Sequence, residues 1–305
     1  MSTLSVSLGD IVLKNPVVTC SGTFASGIEF NNFYDIEKIG AITTKTYTLK
    51  PRKGNVPPRL CETYCGVINS IGLQNEGIDY FLGEELKKVK ELNASVILSI
   101  AGTDSQEFSQ LSQKLLHFKD DFIAVELNFS CPNVKKGGIS LGSNPDIVES
   151  ITGTVSDILK VPLIIKLSPN NDNLDVMAKR AKDGGAQAVS LINTLPAMAI
   201  DTDTFRPKLG NVFGGLSGPA IKPVAVAKIF KLHQENILPI IGMGGVFGPL
   251  DAIEFMLAGA SAVGVGTANF VDPDAALKIL QGISSYMREK DIININDIIG
   301  KVRLD

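Results

Sequence analysis

Tryptophan is absent, histidine occurs twice and cysteine four times in 305 residues. Both histidines, His117 and His233, fall near the ends of predicted helices, where the helix dipole and solvent account for them. No predicted strand end therefore carries the commonest proton-transfer side chain. The cysteines, Cys20, Cys61, Cys65 and Cys131, show no disulfide-framework spacing, and Cys61 with Cys65 lacks the second ligand pair of a zinc site. No cluster of acidic ligands is visible, so no metal site is expected. No apolar run approaches the roughly 20 residues that span a bilayer. The N-terminus, MSTLSVSLGD, lacks a basic region followed by an apolar stretch. A net charge of -3 without runs of Lys or Arg gives no general grip on nucleic acid or anionic lipid. These absences point to a soluble, cytoplasmic chain that acts on a small molecule or another protein.

What is present is a repeated alternation. After an opening hairpin (LSVSL, Gly9-Asp10, IVL) come eight short β-branched runs: PVVTC, GAITTKT, SVILSIA, FIAVELNFS, PLIIKLS, AVSLINT, PIIGMGG and AVGVGTA. Amphipathic segments lie between most of them. In FLGEELKKVKEL, Leu82, Leu86, Val89 and Leu92 follow helical spacing while the lysines face outward. FSQLSQKLLHF, PDIVESITGTVSDIL, LDVMAKRAKDGG, KPVAVAKIFKLHQ and PLDAIEFMLAGA have the same character. Nearly all-apolar strands need cover on both faces, which helices around a parallel sheet supply. The expected fold is an α/β (β/α)8 TIM barrel, one domain over residues 1–305, with an N-terminal hairpin. Long insertions, from Thr46 to Gly77 and from about Pro196 to Pro219, lie at the C-terminal face of the strands and are too long for idle connections. An open doubly wound sheet is the alternative, but TCSGTFASG is not its dinucleotide fingerprint.

In such barrels the reactive groups sit where strands end. The predicted ends are unusually polar: Ser21, Lys45-Thr46, Ser99, Asn128 to Asn133, Lys166, Asn193-Thr194, Gly244-Gly245 and Gly266-Thr267. The glycine pairs after the last two strands can bring backbone N–H groups close to an anion, which points to a phosphorylated ligand. Lys166, inside an apolar strand, points to an anionic partner. A lone cysteine is commonly a small buried hydrophobe; that reading suits Cys20 and is the better one for Cys61 and Cys65, for which a redox role stays open. Cys131, in NFSCPN between Asn128 and Asn133, is the remaining proton-transfer group.

These motifs resemble the catalytic subunit of class 1B dihydroorotate dehydrogenase. NPVVTCSGTF, KTYTLKPRKGN, NSIGLQN, NFSCPN, IKLSP, INT, LGNVFGGLSGPAIKP, GMGGV and GVGTA carry the similarity nearly end to end. A cysteine in SCPN marks class 1, and GLQN with GLSGPAIKP leans toward 1B. The resemblance implies one FMN per chain, held by Ser21, Lys45, Thr46, Ser99, Asn128, Lys166, Ile192, Gly218, Gly244, Gly245, Gly266 and Thr267. It places the substrate, dihydroorotate, and the product, orotate, against Lys45, Asn69, Ser70, Ile71, Gly72, Leu73, Asn128, Asn133, Asn193 and Thr194. The chain departs from the family pattern at Ser99, where Asn is expected, and at Val56 and Glu76 in loops.

The implied reaction is oxidation of (S)-dihydroorotate to orotate in pyrimidine biosynthesis, with Cys131 as the base at C5 and hydride transfer from C6 to FMN. The glycine-rich segment around Val134 to Ser143 reads as a lid. Electrons would pass to NAD+ through a partner subunit carrying FAD and an iron–sulfur cluster, for which this chain has no cysteine set; a homodimer of this chain within a heterotetramer is implied. Alternatives are a fumarate-linked class 1A enzyme and an RNA-modifying flavin barrel like the dihydrouridine synthases, although no basic RNA-binding face is visible.

Overall fold

All eight β-branched runs form strands, here named β1 (Val17–Thr19), β2 (Ile42–Thr43), β3 (Val96–Ile100), β4 (Ala124–Asn128), β5 (Leu163–Lys166), β6 (Ala188–Leu191), β7 (Ile240–Met243) and β8 (Ala262–Val265). In the computed structural model, which describes residues 2–129, 135–136 and 139–305, they make one parallel sheet in the order β1-β8-β7-β6-β5-β4-β3-β2. A bridge between Val18 and Ala41 joins its two edges. At that seam Thr19 N–H donates to Ala41 at 3.2 Å and Gly40 N–H to Val17 at 2.8 Å. A Cβ on Gly40 would run into the Asn15 and Val17 carbonyls, so only glycine lets the edges meet. The sheet is thus a closed barrel, whose strand residues are almost all buried.

The outer helices follow their sequence signals. Pro145–Leu159 starts at Asn144, whose side chain accepts from the Asp146 and Ile147 amides, with Pro145 in the first turn; this combination satisfies the free N–H groups of a helix start. Its buried residues, Val148, Ile151, Thr152, Val155 and Leu159, keep one face on the barrel. Helices Ser105–Leu115, Leu174–Asp183, Lys222–Gln234 and Pro249–Leu257 match the remaining amphipathic segments. The segment after Gly77 departs from simple helical spacing. A five-residue π turn, Phe81–Glu85, separates Ile78–Tyr80 from Leu86–Glu91. The wider turn gives the core position to fully buried Phe81 and leaves Leu82 only partly buried. A further helix, Ala275–Glu289, absent from the expected set, packs Ala276, Ile279, Ile283 and Met287 inward. Between β1 and β2 there are only short 3-10 turns, Phe30–Asn32 and Ile36–Lys38.

The opening hairpin forms as expected, with Val6–Leu8 antiparallel to Ile11–Leu13. Its turn bonds to Gln187, just before β6, so it covers the N-terminal end of the barrel. At the opposite end the two insertions join. Leu60–Thr63, Gly66–Asn69, Phe213–Ser217 and Leu195–Met198 make one four-stranded antiparallel sheet. The loop after β2 and the loop after β6 therefore form one structure over the barrel mouth.

Candidate functional site

The chain leaving β2 stays beside β3. Tyr47 N–H donates to Ser99 at 2.9 Å and Ala101 N–H donates to Tyr47 at 2.9 Å, while Lys45 N–H is tied to Ala25 at 2.7 Å. The Tyr47 and Ser26 hydroxyls both donate to Glu85, at 2.6 and 2.5 Å. Burial, reinforced by Glu85, pushes the Tyr47 hydroxyl far above its usual range, so it remains a donor. Half-buried Lys45 and buried Thr46 are thereby fixed at the mouth.

Beneath them lies a polar layer. Thr46 and Ser99 hydroxyls are 2.9 Å apart, Ser99 donates to Glu126 Oε1 at 3.0 Å, and Ser190 donates to Glu126 Oε2 at 2.8 Å. Glu126 on β4 and Ser190 on β6 are not neighbours in the sheet, so their bond crosses the barrel interior. Asn128 Nδ2 donates to Thr46 Oγ1 at 3.3 Å. Ser99 is completely buried and its hydroxyl is spent on these partners. Through Thr46 it is linked to Asn128.

Lys166 pairs in register with Asn128 on one side and Ser190 on the other. It is only 6% exposed, and its ammonium makes no hydrogen bond or salt bridge among the described residues. Burying such a charge is costly without an anion near it. Lys166 and Glu126 both act on Cys20: burial pushes that thiol up to about 11, Lys166 lowers it and Glu126 raises it. Cys20 thus stays a neutral thiol, 3.8 Å from the Met243 sulfur, in keeping with its reading as a packing residue.

Past Asn193 and Thr194, which follow β6, the mouth is built mainly from backbone. Gly218, Gly244 and Gly245 all have positive φ, at 99°, 114° and 99°. A Cβ on Gly245 would lie 2.7 Å from Lys222 Cβ and 3.0 Å from the Gly218 carbonyl, and one on Gly244 would lie 2.9 Å from Ile192 Cγ1. The Thr267 hydroxyl, from the loop after β8, donates to Ser217 at 2.9 Å. Gly266 sits against Cys20, and Ser21 is buried beside it in sequence. Three loops thus meet in a small cradle that side chains would fill, the geometry in which exposed N–H groups grip an anion.

The Asn69–Leu73 loop comes from the first insertion. Asn69 donates to Gly215 of the second insertion at 3.2 Å, and Thr194 packs so closely on Gly215 that any Cβ there would overlap its hydroxyl. Asn193 Oδ1 accepts from Thr194 N–H at 2.7 Å. Ser70 is held by Asn55 at 2.8 Å, Ile71 accepts from Asn55 N–H at 3.0 Å, and Gly72 and Leu73 turn with φ of 75° and 54°. Buried Asn75 ties this turn to Thr48 and Gly77. Cys131 and Asn133 lie outside the described residues, as do Val134, Gly137 and Gly138 of the glycine-rich segment after them. Cys61 and Cys65, in the hairpin strand and its turn, are free thiols. No metal-binding cluster occurs among the described residues, nor does a helix long and apolar enough to cross a membrane.

Glu126, Ser190 and Ser217 were not singled out from sequence. Glu126 stands in the very run that ends in NFSCPN, and a lone acid in an otherwise apolar strand was a usable signal. The two serines carried none. His117 is exposed at a helix end, as expected. His233 is partly covered instead, its ring packed against Gly259 and Gly300.

A closed (β/α)8 barrel whose mouth joins a glycine cradle to a buried lysine and several amides defines a class of barrel proteins with a polar site at the C-terminal ends of the strands. The chain belongs to the dihydroorotate dehydrogenase family, whose model matches residues 3–287. It is 47% identical over 302 residues, covering 99% of both chains, to a Thermoanaerobacter sp. (strain X514) protein named dihydroorotate dehydrogenase B (NAD(+)), catalytic subunit. A Geotalea daltonii protein of the same name is 48% identical over 301 residues, with 99% of this chain and 98% of the relative covered. A solved Eimeria tenella DHODH in complex with ferulenol superposes with a TM-score of 0.80 at 23% identity, covering 98% of this chain and 88% of that one. That likeness supports the barrel fold alone.

Proposed function

We propose that this chain, acting in the cytoplasm as a single unit over residues 1–305, oxidises (S)-dihydroorotate to orotate in pyrimidine biosynthesis, with one FMN as resident cofactor. The observation that carries the reading is the meeting, in one mouth, of a buried lysine ammonium with a cradle that any Cβ would crowd. The residues present fit FMN: Gly218, Gly244, Gly245, Gly266 and Thr267 suit its phosphate, and Ser21, Lys45, Thr46, Asn128, Lys166 and Ile192 would hold the remainder. When bound, FMN supplies the acceptor for the hydride that leaves C6 of the substrate.

The protein's own contribution is positioning, charge and one proton transfer. Cys131 takes the proton from C5; the C5–H bond breaks and its electron pair becomes part of the new C5–C6 double bond. Asn69, Asn128, Asn133 and Asn193 are suited to a ring with both N–H donors and carbonyl acceptors. Ser70, Ile71, Gly72, Leu73 and Thr194 complete the wall, and Lys45 pairs with the carboxylate. Lys166 offers a fixed positive charge where negative charge develops, without reorganisation at the moment of reaction.

The curated relatives are named as NAD(+)-linked catalytic subunits. Electrons accordingly leave for a second subunit with FAD and an iron–sulfur cluster, two copies of each chain forming a heterotetramer around a dimer of this one. The purified chain should be yellow, and mixing with dihydroorotate should bleach its flavin spectrum while NAD+ is reduced poorly. A colourless protein that binds no FMN overturns the reading; efficient NAD+ reduction by this chain alone overturns the partner.

A further inference from the structure

We infer that Ser99 is a positioning residue, the central link of a one-directional hydrogen-bond relay that sets which end of the Asn128 amide faces Thr46. The direction follows from counting protons. The carboxylate of Glu126 can only accept, and Ser99 lies 3.0 Å from its Oε1, so the single Ser99 hydroxyl proton goes there. Ser99 Oγ, 2.9 Å from Thr46 Oγ1, must then accept, and that contact uses the only hydroxyl proton of Thr46. Toward Asn128 the Thr46 oxygen can therefore only accept, and of the two ends of an amide only the nitrogen can donate, here at 3.3 Å. Glu126, three links away, thus favours the orientation in which Asn128 turns Nδ2 to Thr46 and its carbonyl oxygen away. Ser190 donates to Glu126 Oε2 at 2.8 Å and lies outside this path.

Loss of the Ser99 hydroxyl leaves the Thr46 proton without its acceptor, free to turn to the Asn128 carbonyl. The Thr46 contact then no longer selects Nδ2, and a ring donor or acceptor matched to one amide orientation is mismatched to the other. The choice of probe rests on the proposed function: Asn128 is one of the amides assigned to orotate.

The test is a matched pair of variants in the FMN-loaded protein, read by calorimetric titration with orotate instead of turnover. Ser99→Ala and Ser190→Ala each remove one buried hydroxyl from the same carboxylate, and both should lower the melting temperature by similar amounts. The orotate dissociation constant should rise about tenfold in Ser99→Ala, the worth of one oriented hydrogen bond, and should change less than about twofold in Ser190→Ala. Ser99→Thr, which keeps the hydroxyl, should recover most of the affinity. If Ser99→Ala does not fold, Ser99→Cys, a poorer donor of similar size, should show the same loss in weaker form. Equal affinities of the Ser99 and Ser190 variants overturn the relay and leave the orotate reading standing; failure of the wild-type protein to bind orotate overturns both.

Discussion

The two halves of the barrel mouth are made of different material. After β2 to β5 the surface is built from side chains: Lys45, Thr46, Asn128 and Lys166, backed by Ser99 and Glu126. Beyond Asn193 and Thr194 it is built mainly from backbone, with Gly218, Gly244 and Gly245 in left-handed conformations and packed so closely that no Cβ fits. A side-chain surface can be edited one group at a time, because removing a hydroxyl or ammonium leaves the chain path intact. A backbone surface changes only when the path itself changes. The first half should therefore lose function in graded steps, and the second should lose ligand retention together with local structure.

The largest expected effect tests the side-chain half. Cys131→Ala should slow flavin reduction by dihydroorotate by a factor of roughly 10² to 10⁴, the usual worth of a positioned base, and Cys131→Ser should be nearly as poor because a hydroxyl is a far weaker acid. FMN content and orotate binding should survive. In the wild-type protein, reduction should speed up as pH rises toward the ordinary thiol pKa of about 8.5. Stopped-flow reduction within a few-fold of wild type in the alanine variant would reduce Cys131 to packing.

Gly245→Ala tests the backbone half. With φ of 99° and Lys222 Cβ 2.7 Å from the added methyl, the variant should carry strain of about 1–3 kcal/mol. It should be purified with well under the normal flavin-to-protein ratio and melt at lower temperature. Full FMN occupancy at unchanged stability would show that the cradle does not grip the cofactor.

Lys166→Ala sharpens the contrast, since it removes a charge without moving backbone. Reduction should slow and FMN retention should weaken, each by about tenfold, the scale of one charge-assisted contact. A variant with complete FMN and an unchanged reduction rate would exclude the lysine from that role.

The smallest effects belong away from the mouth. His117→Ala and His233→Ala should leave turnover within about twofold, as expected of surface and packing positions. Only His233→Ala should lower the melting temperature, because its ring fills the space beside Gly259 and Gly300. A large loss of turnover in either folded variant would mean that catalysis extends beyond the mouth.

Much of this was legible in the residues. Apolar β-branched runs that alternate with amphipathic segments admit few folds, because such strands need cover on both faces, and the eight runs and their order fixed the barrel. Strand-end polarity then marked the mouth, since Lys166 in IIKLS and the glycine pairs in GMGGV and GVGTA are expensive or pointless as core. Other features carried no local signal. Ser99 looked like one more strand-end contact, and only the tertiary structure links it to both Thr46 and Glu126. Ser190, within an apolar run, became significant only when the curvature of the sheet brought β6 across from β4. The joining of the two insertions depends on pairing between residues about 150 positions apart, and the π turn at Phe81–Glu85 displaced the expected apolar stripe by one residue. The sequence determined which segments are apolar on both faces, where each ends in a polar group and which positions only glycine can occupy, because these are properties of neighbours along the chain. Tertiary structure alone decided which polar groups meet, since closing the barrel is what brings Thr46, Ser99, Glu126 and Ser190, from different strands, within hydrogen-bonding distance of one another.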